Sequence, residues 1–299
     1  MSTPLVLAAD IGGTKMRVAL VDTAGNLLHR SSATTPNDAH VPSALLDLVA
    51  NVASIGTHGP VSHAVVGLPG AVDYDAGRLL WAPHLHERWP DLLSRRALAD
   101  RLGMSVHVAN DADLAGVGEA VFGAGAGASD VAFLTISTGI GAGIMQRGRL
   151  LRGARSVGEV GHTVIDWRAW HNGEPSTLEE LGSGSGIARR AREHPERLAD
   201  AADIDAAAQR GDAAAKAIWE DAVVACAVGV SNLVMAFYPS TVVIGGGLGR
   251  HPRFFAAVKE RVAGRPEHHP ADLAVVPSAL GDDAGLIGAA AWLEATGQA

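Results

Sequence analysis

An aspartate at the end of an apolar run is the first residue of this chain that could do chemistry. The stretch AADIGGTK places Asp10 before a glycine turn, Gly12 and Gly13, followed by Thr14 and Lys15. Glycines at a strand end let backbone N–H groups approach phosphate oxygens, because no Cβ stands in the way. A carboxylate beside phosphates needs a cation, and Mg²⁺ suits such a site. We interpret Asp10 as a magnesium anchor acting through water, or else as an acceptor for the N–H groups of the turn.

Glycine turns follow apolar runs at two later points in the chain. STGIGAG comes after DVAFLTI, and GGG comes after STVVI. One such turn alone is typical of any tight turn, but the three together favour nucleotide binding. Thr14 and Lys15 would add a hydroxyl and a positive charge there, unless Lys15 is solvated. No turn matches the P-loop or the GxGxxG pattern that opens a helix, so we expect two hairpins to hold the phosphates. The candidate residues in the later turns are Thr138, Gly139, Gly141, Gly245, Gly246 and Gly247.

The second acidic residue that could do chemistry is Asp111, which follows Asn110 at the end of the apolar run SVHVA. Ligands collect at the strand ends of open α/β sheets. A hydroxyl that accepts a phosphoryl group needs a base that also orients it, and aspartate has this role in kinases. The alternative is an N-cap for a helix beginning near Ala112. The spacing favours neither interpretation.

The elements that must position these residues alternate between strands and helices, which predicts an α/β protein. The opening strand–turn–strand pattern recurs roughly 127 residues later, which suggests a duplicated architecture with one copy per domain. The predicted domains are residues 1–112 plus 285–299, and residues 113–284, with the last helix packed on the first domain. The predicted strands include 5–10, 15–22, 27–34, 105–110, 130–136 and 144–151, and the predicted helices include 41–56, 94–103, 113–123, 213–237 and 281–295.

The composition excludes several classes of protein. A net charge of −8 argues against nucleic-acid and membrane-surface partners, which need basic patches. The single cysteine, Cys226, has no partner for an internal disulfide and is expected to be buried. The first residues show no basic leader, and no apolar stretch is expected to be long enough to span a membrane. These features predict a soluble, cytoplasmic protein.

Four motifs in this order and spacing carry a family resemblance that covers almost the whole chain. DIGGTK, VANDAD, STGIGAG and GEVGHTVID resemble those of the ROK family of sugar kinases and sugar-responsive repressors. The resemblance implies a two-domain, actin-like ATPase fold of the ribonuclease-H-like type, with an interdomain cleft that closes over ATP and a hexose. It also implies ATP and Mg²⁺ as cofactors, glucose phosphorylated at its 6-hydroxyl as the default reaction, and a possible homodimer. N-acetylmannosamine or N-acetylglucosamine is the alternative acceptor.

The resemblance also assigns roles to individual residues. Asp111 is similar to the family's catalytic base, which takes the proton from the attacking sugar hydroxyl. Its neighbour Asn110 is similar to a residue that hydrogen-bonds the sugar. The further residues that resemble sugar contacts are Gly70 in GLPG, Glu159 and His162 in GEVGH, and Glu179 in TLEELGSG.

The chain departs from the family pattern where many members carry a zinc site. Three cysteines of that site correspond here to Trp170, Asn172 and Thr177. His162 and His171 alone provide too few ligands for a closed zinc site, so we predict that the protein holds no structural zinc. The packing of Trp167 and Trp170 is expected to hold the loop instead, and His162 is expected to need another partner at its second ring nitrogen.

The chain departs from the family pattern at a second point. His84-Leu85 stands where kinases of this family often have Asn-Leu, and His84 and His86 are expected to lie on a surface loop.

Two other functions are less favoured than that of a kinase. A repressor of this family would carry a DNA-binding segment before the first glycine hairpin, but that hairpin begins about five residues from the start, so a repressor is not expected. A sugar sensor without activity is disfavoured by the presence of both Asp10 and Asp111.

Overall fold

The computed structural model describes residues 4–54, 59–82 and 85–298, so the predicted position of His84 lies outside the described residues. The chain divides into two compact units. The first comprises Met1–Gly127, Gly143–Gly158 and Asp282–Ala299, and the second comprises Ala128–Ala142 and Glu159–Gly281. The predicted boundary at residue 112 differs from this division, because the helix that follows packs within the first unit.

The strands and helices alternate as the apolar pattern predicts. The strands are β1 Leu5–Ile11, β2 Lys15–Asp22, β3 Leu27–Thr34, β4 Val61–Leu68, β5 Ala71–Asp73, β6 Arg78–Trp81, β7 Val106–Asn110, β8 Val131–Ile136, β9 Ile140–Gln146, β10 Arg149–Leu150, β11 Thr241–Gly245 and β12 Ala274–Pro277. The α-helices are α1 Val41–Ala53, α2 Trp89–Leu92, α3 Arg95–Leu102, α4 Asp111–Phe122, α5 Trp167–His171, α6 Leu178–Gly182, α7 Gly184–Glu193, α8 Ala201–Gln209, α9 Ala213–Phe237, α10 Pro252–Ala263, α11 Ala284–Gly288 and α12 Trp292–Thr296.

The first five-stranded sheet has the order β3-β2-β1-β4-β7. Strand β1 pairs antiparallel with β2 and parallel with β4, and β4 pairs parallel with β7. Strand β1 is almost wholly buried, as its continuous apolar run predicts for a central strand. The parallel pairing brings the carboxyl ends of β1, β4 and β7 to one edge of the sheet. Asp10 and Asn110 lie at this edge.

The second five-stranded sheet has the order β10-β9-β8-β11-β12. This order repeats that of the first sheet, which agrees with the predicted duplication. One detail differs from the sequence-based expectation. The predicted single strand at 144–151 is a hairpin of β9 and β10, because Gly148 adopts a φ of 73° that turns the chain.

Helix α9 is the longest helix and packs against α6, α8 and α10 in the second unit. The expectation that no apolar stretch is long enough to span a membrane was wrong for this helix, whose most apolar window has a mean hydropathy of 1.5. About half of that window is buried within the protein. A helix in the core of a folded protein can have the same length and apolar composition, so these two properties are weak evidence for a membrane span. Cys226 in this helix is fully buried, as predicted.

The chain returns to the first unit at its carboxyl end, where the last helix was expected. The predicted single helix at 281–295 is instead a series of short helices, α11 and α12 with 3-10 turns beside them. Helix α11 packs closely against α4 through backbone contacts. A Cβ on Gly288 would lie 1.9 Å from the Leu114 carbonyl oxygen, and one on Gly118 would lie 2.2 Å from the Ala284 carbonyl oxygen. These glycines are therefore required for the two helices to approach.

We predict that Gly288→Ala lowers the free energy of unfolding by at least about 2 kcal/mol, because the added methyl has no space between α4 and α11. Urea denaturation followed by circular dichroism measures the change. The matched control is Gly264→Ala at the end of α10, where φ is −70° and the nearest atom to an added Cβ lies at 3.4 Å. The control should change stability by less than about 1 kcal/mol. Equal stability of the two variants would contradict the packing argument.

Candidate functional site

Asp10 is the penultimate residue of strand β1, and its carboxylate is ion-paired. Its Oδ2 accepts a charge-assisted hydrogen bond from the Arg17 guanidinium, and both side chains are mostly buried. Arg17 stands directly opposite Asp10 on β2, and it also donates to the backbone carbonyl of Asp282. Burial raises the pKa of Asp10, while the neighbouring Arg17 charge opposes that rise. The argument that a carboxylate here needs a bound cation was therefore incomplete, because Arg17 already supplies a positive charge.

The hairpin between β1 and β2 forms the predicted first glycine turn. The Gly12 N–H donates to the Lys15 carbonyl at 3.0 Å, so part of the turn's backbone bonding is internal. Gly13, Thr14 and Lys15 are exposed. Within the described residues the only hydrogen bond or ion pair of Asp10's side chain joins Oδ2 to Arg17, which leaves Oδ1 able to accept from a metal-bound water. This arrangement fits a water-mediated magnesium contact, because Mg²⁺ bound to phosphates keeps several of its waters and these can donate to a carboxylate.

Asn110 and Asp111 lie where strand β7 passes directly into helix α4. Asn110 is the N-cap, because its side-chain oxygen accepts from the Asp113 N–H at 3.0 Å. Its amide nitrogen donates to the Gly70 carbonyl at 3.0 Å. Asp111 is the first residue of the helix and accepts from the Ala112 N–H at 2.8 Å. The structure thus assigns the cap to Asn110 rather than to Asp111, and it brings Gly70, Asn110 and Asp111 together in the first unit.

The later glycine turns lie beside a cavity of about 550 Å³ in the second unit. Thr138 and Gly247 line it, as do Ser185 and His251. The Gly184 and Ser185 N–H groups at the start of α7 donate to the Ser137 and Thr138 carbonyls at 2.8 and 3.2 Å, which ties this helix terminus to the turn. Gly246 has a φ of 79°, and a Cβ there would lie 2.3 Å from the Ile136 carbonyl oxygen. The turn after β11 therefore requires glycine.

Asp205 and Gln209 of α8 and Trp219 of α9 form another wall of this cavity. The mostly buried Asp205 forms an ion pair with Arg253, and its other oxygen accepts from the Gln209 amide at 2.7 Å. The Arg253 guanidinium lies 5.3 Å from the ring centre of Trp219, which is 6% exposed. A large aromatic side chain beside fixed polar groups is typical of a small-molecule site. Sequence reasoning missed this wall, because its members are separated in the chain and carry no motif.

Glu159, His162 and Glu179 also lie together in the second unit. Glu179 accepts from the Ile140 N–H at 2.8 Å, and a Cβ on Gly139 would lie 2.6 Å from its carboxylate. Glu159 lies 3.9 Å from the His162 ring nitrogen. Burial raises the pKa of Glu159, with a lowering contribution from His162 and a raising one from Glu179. Glu159, His162 and Glu179 therefore form a polar cluster, and Glu179 places it in contact with the glycine turn at Gly139.

The loop that departs from the zinc pattern is held differently from our expectation. Trp167 and Trp170 are 66% and 65% exposed, so their packing does not stabilise the loop, and that prediction was wrong. Thr177 instead forms a capping box with Glu180, and both residues exchange hydrogen bonds at 3.0–3.2 Å. The described residues include no group of three metal-ligating side chains that could hold an ion. The absence of zinc stays a prediction from the residue types.

Comparisons with known proteins agree along the length of the chain. The model of the ROK family matches residues 6–296. The glucokinase of Thermotoga maritima is 30% identical over 309 residues, covering 97% of this chain and 97% of that protein. The bifunctional enzyme NanE/NanK of Brucella melitensis is 36% identical over 294 residues, covering 95% of this chain and 53% of that protein. The chain therefore spans about half the length of this relative.

Solved structures show the same architecture. The ROK hexokinase of Thermus thermophilus has a TM-score of 0.83 and 31% identity, with 96% of each chain covered. A ROK family glucokinase from Streptomyces griseus, in complex with glucose and AMPPNP, has a TM-score of 0.80 and 29% identity, covering 96% of this chain and 98% of that one. The fold is therefore the α/β, actin-like ATPase fold of these kinases.

We predict that Arg17→Met lowers the free energy of unfolding by about 2–4 kcal/mol, because it leaves the mostly buried Asp10 carboxylate without its partner. Thermal and urea denaturation measure the loss. The matched control is Arg261→Met, whose pair with Glu220 is about half exposed and is expected to contribute only about 0–1 kcal/mol. If Arg17→Met is no less stable than the control, Asp10 does not depend on Arg17.

Proposed function

Because this chain belongs to the ROK family, we propose that it is an ATP-dependent sugar kinase that transfers the γ-phosphoryl group of ATP to a hydroxyl of a hexose. The relatives support a sugar phosphotransferase, since they are glucokinases and N-acetylmannosamine kinases. The observation that carries the proposal is the carboxylate of Asp111 at the junction of β7 and α4, held beside the capping residue Asn110. A cytoplasmic location and a homodimer stay predictions.

Asp111 would act as the general base. Its carboxylate takes the proton from the sugar hydroxyl, the hydroxyl oxygen bonds to the γ-phosphorus, and the bond from that phosphorus to the bridging oxygen of ADP breaks. Little covalent chemistry falls to the protein, so positioning and charge stabilisation dominate. Asp111 is suited to this role because its backbone is fixed as the first residue of a helix.

The sugar would be bound by directional hydrogen bonds. The candidates are the Asn110 side chain beside Gly70 in the first unit, and Glu159, His162 and Glu179 in the second. Carboxylates and amides held by other protein groups accept and donate in set directions, which suits a polyol. Substrates that lack one of the recognised hydroxyls would leave one of these polar groups without its partner and would bind less well.

The nucleotide would occupy the cavity of the second unit. Its base would lie near Trp219, and the N–H groups around Thr138 and Gly247 would face the phosphates. Asp10 would hold Mg²⁺ through water by its Oδ1. The ion would supply positive charge to the phosphates, and Arg17 would keep the Asp10 carboxylate oriented. Gly12, Gly13, Thr14 and Lys15 would contribute the second phosphate-facing turn.

The Asp111→Asn variant tests the assignment of the base. We expect its turnover to fall at least about 100-fold, because the amide cannot take the proton, while glucose binding by calorimetry stays close to that of the wild type. ADP release is measured with glucose, mannose, N-acetylmannosamine and N-acetylglucosamine. The exposed Asp47→Asn in α1 is the matched control. If Asp111→Asn retains a tenth of wild-type activity, Asp111 is not the general base. If an N-acetylhexosamine is the preferred acceptor, the expectation that glucose is the substrate is wrong.

The Ala206→Phe variant tests the nucleotide cavity. Ala206 on α8 lines the cavity, so a phenyl ring there should raise the KM for ATP at least about tenfold and change the KM for sugar far less. The control is Ala256→Phe at an exposed position of α10, outside the cavity lining. An unchanged KM for ATP in Ala206→Phe would place the nucleotide elsewhere.

A further inference from the structure

Tyr74 and Asp113 form a buried pair that takes no direct part in the proposed reaction. Tyr74 is 6% exposed and Asp113 is fully buried. The Tyr74 hydroxyl donates to the Oδ2 of Asp113. Burial and the Asp113 charge raise the pKa of Tyr74 well above its usual value, so the phenol keeps its proton and acts as the donor. A buried carboxylate is costly, and an apolar pair of similar volume could fill such a space.

This pair is bonded to both ends of the residue that precedes the proposed base. The Asn110 N–H donates to the Tyr74 hydroxyl oxygen at 3.3 Å. The Asp113 N–H donates to the Asn110 side-chain oxygen at 3.0 Å, and the Asn110 amide reaches the Gly70 carbonyl at 3.0 Å. Asn110 is therefore held through its main chain by Tyr74 and through its side chain by Asp113 and Gly70. The peptide bond that links Asn110 to Asp111 is therefore restrained as well.

Tyr74 itself is held on several sides, which makes it a rigid support. Its ring lies 5.8 Å from that of the fully buried Trp292 at an angle of 47°, and the Arg152 guanidinium lies 5.2 Å from its centre. Its N–H donates to the Ala154 carbonyl at 2.8 Å. All of these residues belong to the first unit. The hydroxyl therefore has a defined position without help from a substrate.

We propose that Tyr74 is a positioning residue, which sets the direction of the Asp111 carboxylate by bonding Asp113 and the backbone of Asn110. The proposal rests on the proposed function, in which Asp111 is the base. Displacement of a catalytic group by as little as ~1 Å can cost about 100-fold in rate. Loss of the hydroxyl should therefore act on turnover more than on nucleotide affinity, because the nucleotide cavity is lined by the second unit.

The test is Tyr74→Phe, which keeps the ring and its contacts and removes only the hydroxyl. We expect kcat to fall about tenfold or more, while the KM for ATP changes less than about threefold. The matched control is Tyr238→Phe, since the chain has two tyrosines and Tyr238 is 65% exposed. Asp113→Asn perturbs the same network from its other end and still offers an oxygen to the phenol. Its kcat should lie between those of the wild type and Tyr74→Phe.

The outcomes separate this inference from the proposed function. Circular dichroism and thermal melting measure the folded fraction of each variant. The kcat is then calculated per folded molecule, so a loss of stability alone does not lower it. If Tyr74→Phe and Asp113→Asn both keep kcat within about twofold of the wild type while Asp111→Asn is inactive, the positioning role is refuted and the base assignment stands. If Asp111→Asn stays active, or the wild type phosphorylates no sugar, the proposed base fails and the positioning role fails with it.

Discussion

The constraint on which the site depends is the direct passage from strand β7 into helix α4. No loop separates Asn110 from Asp111, so the end of the strand and the first helical N–H groups lie within one residue of each other. The helix begins with two acids in its first turn, which the helix dipole favours. The Asn110 side-chain oxygen accepts from the Asp113 N–H, and the Asn110 amide nitrogen donates to the Gly70 carbonyl. The chemistry proposed for Asp111 therefore rests on a backbone geometry that the sheet imposes.

The same junction also explains why the first unit includes residues distant in sequence. Helix α4 extends from β7 and presents Gly118 to α11, whose Gly288 faces the backbone of Leu114. Close approach through glycines excludes side chains between the two helices, so their backbones determine how they pack. The carboxyl-terminal segment also accepts a bond from Arg17 at the Asp282 carbonyl, and Arg30 pairs with Asp283. Helix packing and ion pairs thus tie the last residues to the first hairpins.

Three buried carboxylates of this protein each have a partner that offsets the desolvation cost of burial. Asp10 is paired with Arg17, Asp205 with Arg253, and Asp113 with the Tyr74 hydroxyl. Each acid is mostly or fully buried, so loss of that partner would leave a buried polar group without a hydrogen bond that offsets its desolvation. Exposed pairs such as Arg261 and Glu220 carry no such constraint. The buried acids therefore mark where the fold holds charge at fixed positions. Asp10 is itself the proposed magnesium anchor, Asp205 lines the proposed nucleotide cavity, and Asp113 is bonded to the proposed sugar contact Asn110.

The sequence by itself determined the alternation of strands and helices, the repeated strand–turn–strand pattern and the family, because hydrophobic periodicity, glycine turns and short motifs are local signals. It also pointed to Asp10, Asn110 and Asp111 as strand-end residues. Arg17 could have been found by counting back across the hairpin, since it stands opposite Asp10. The tertiary structure alone decided that Tyr74 reaches Asp113, and that Asp205, Gln209 and Trp219 share a cavity wall. Such contacts join residues far apart in the chain, and no local pattern encodes which side chains the packing of sheets and helices brings together.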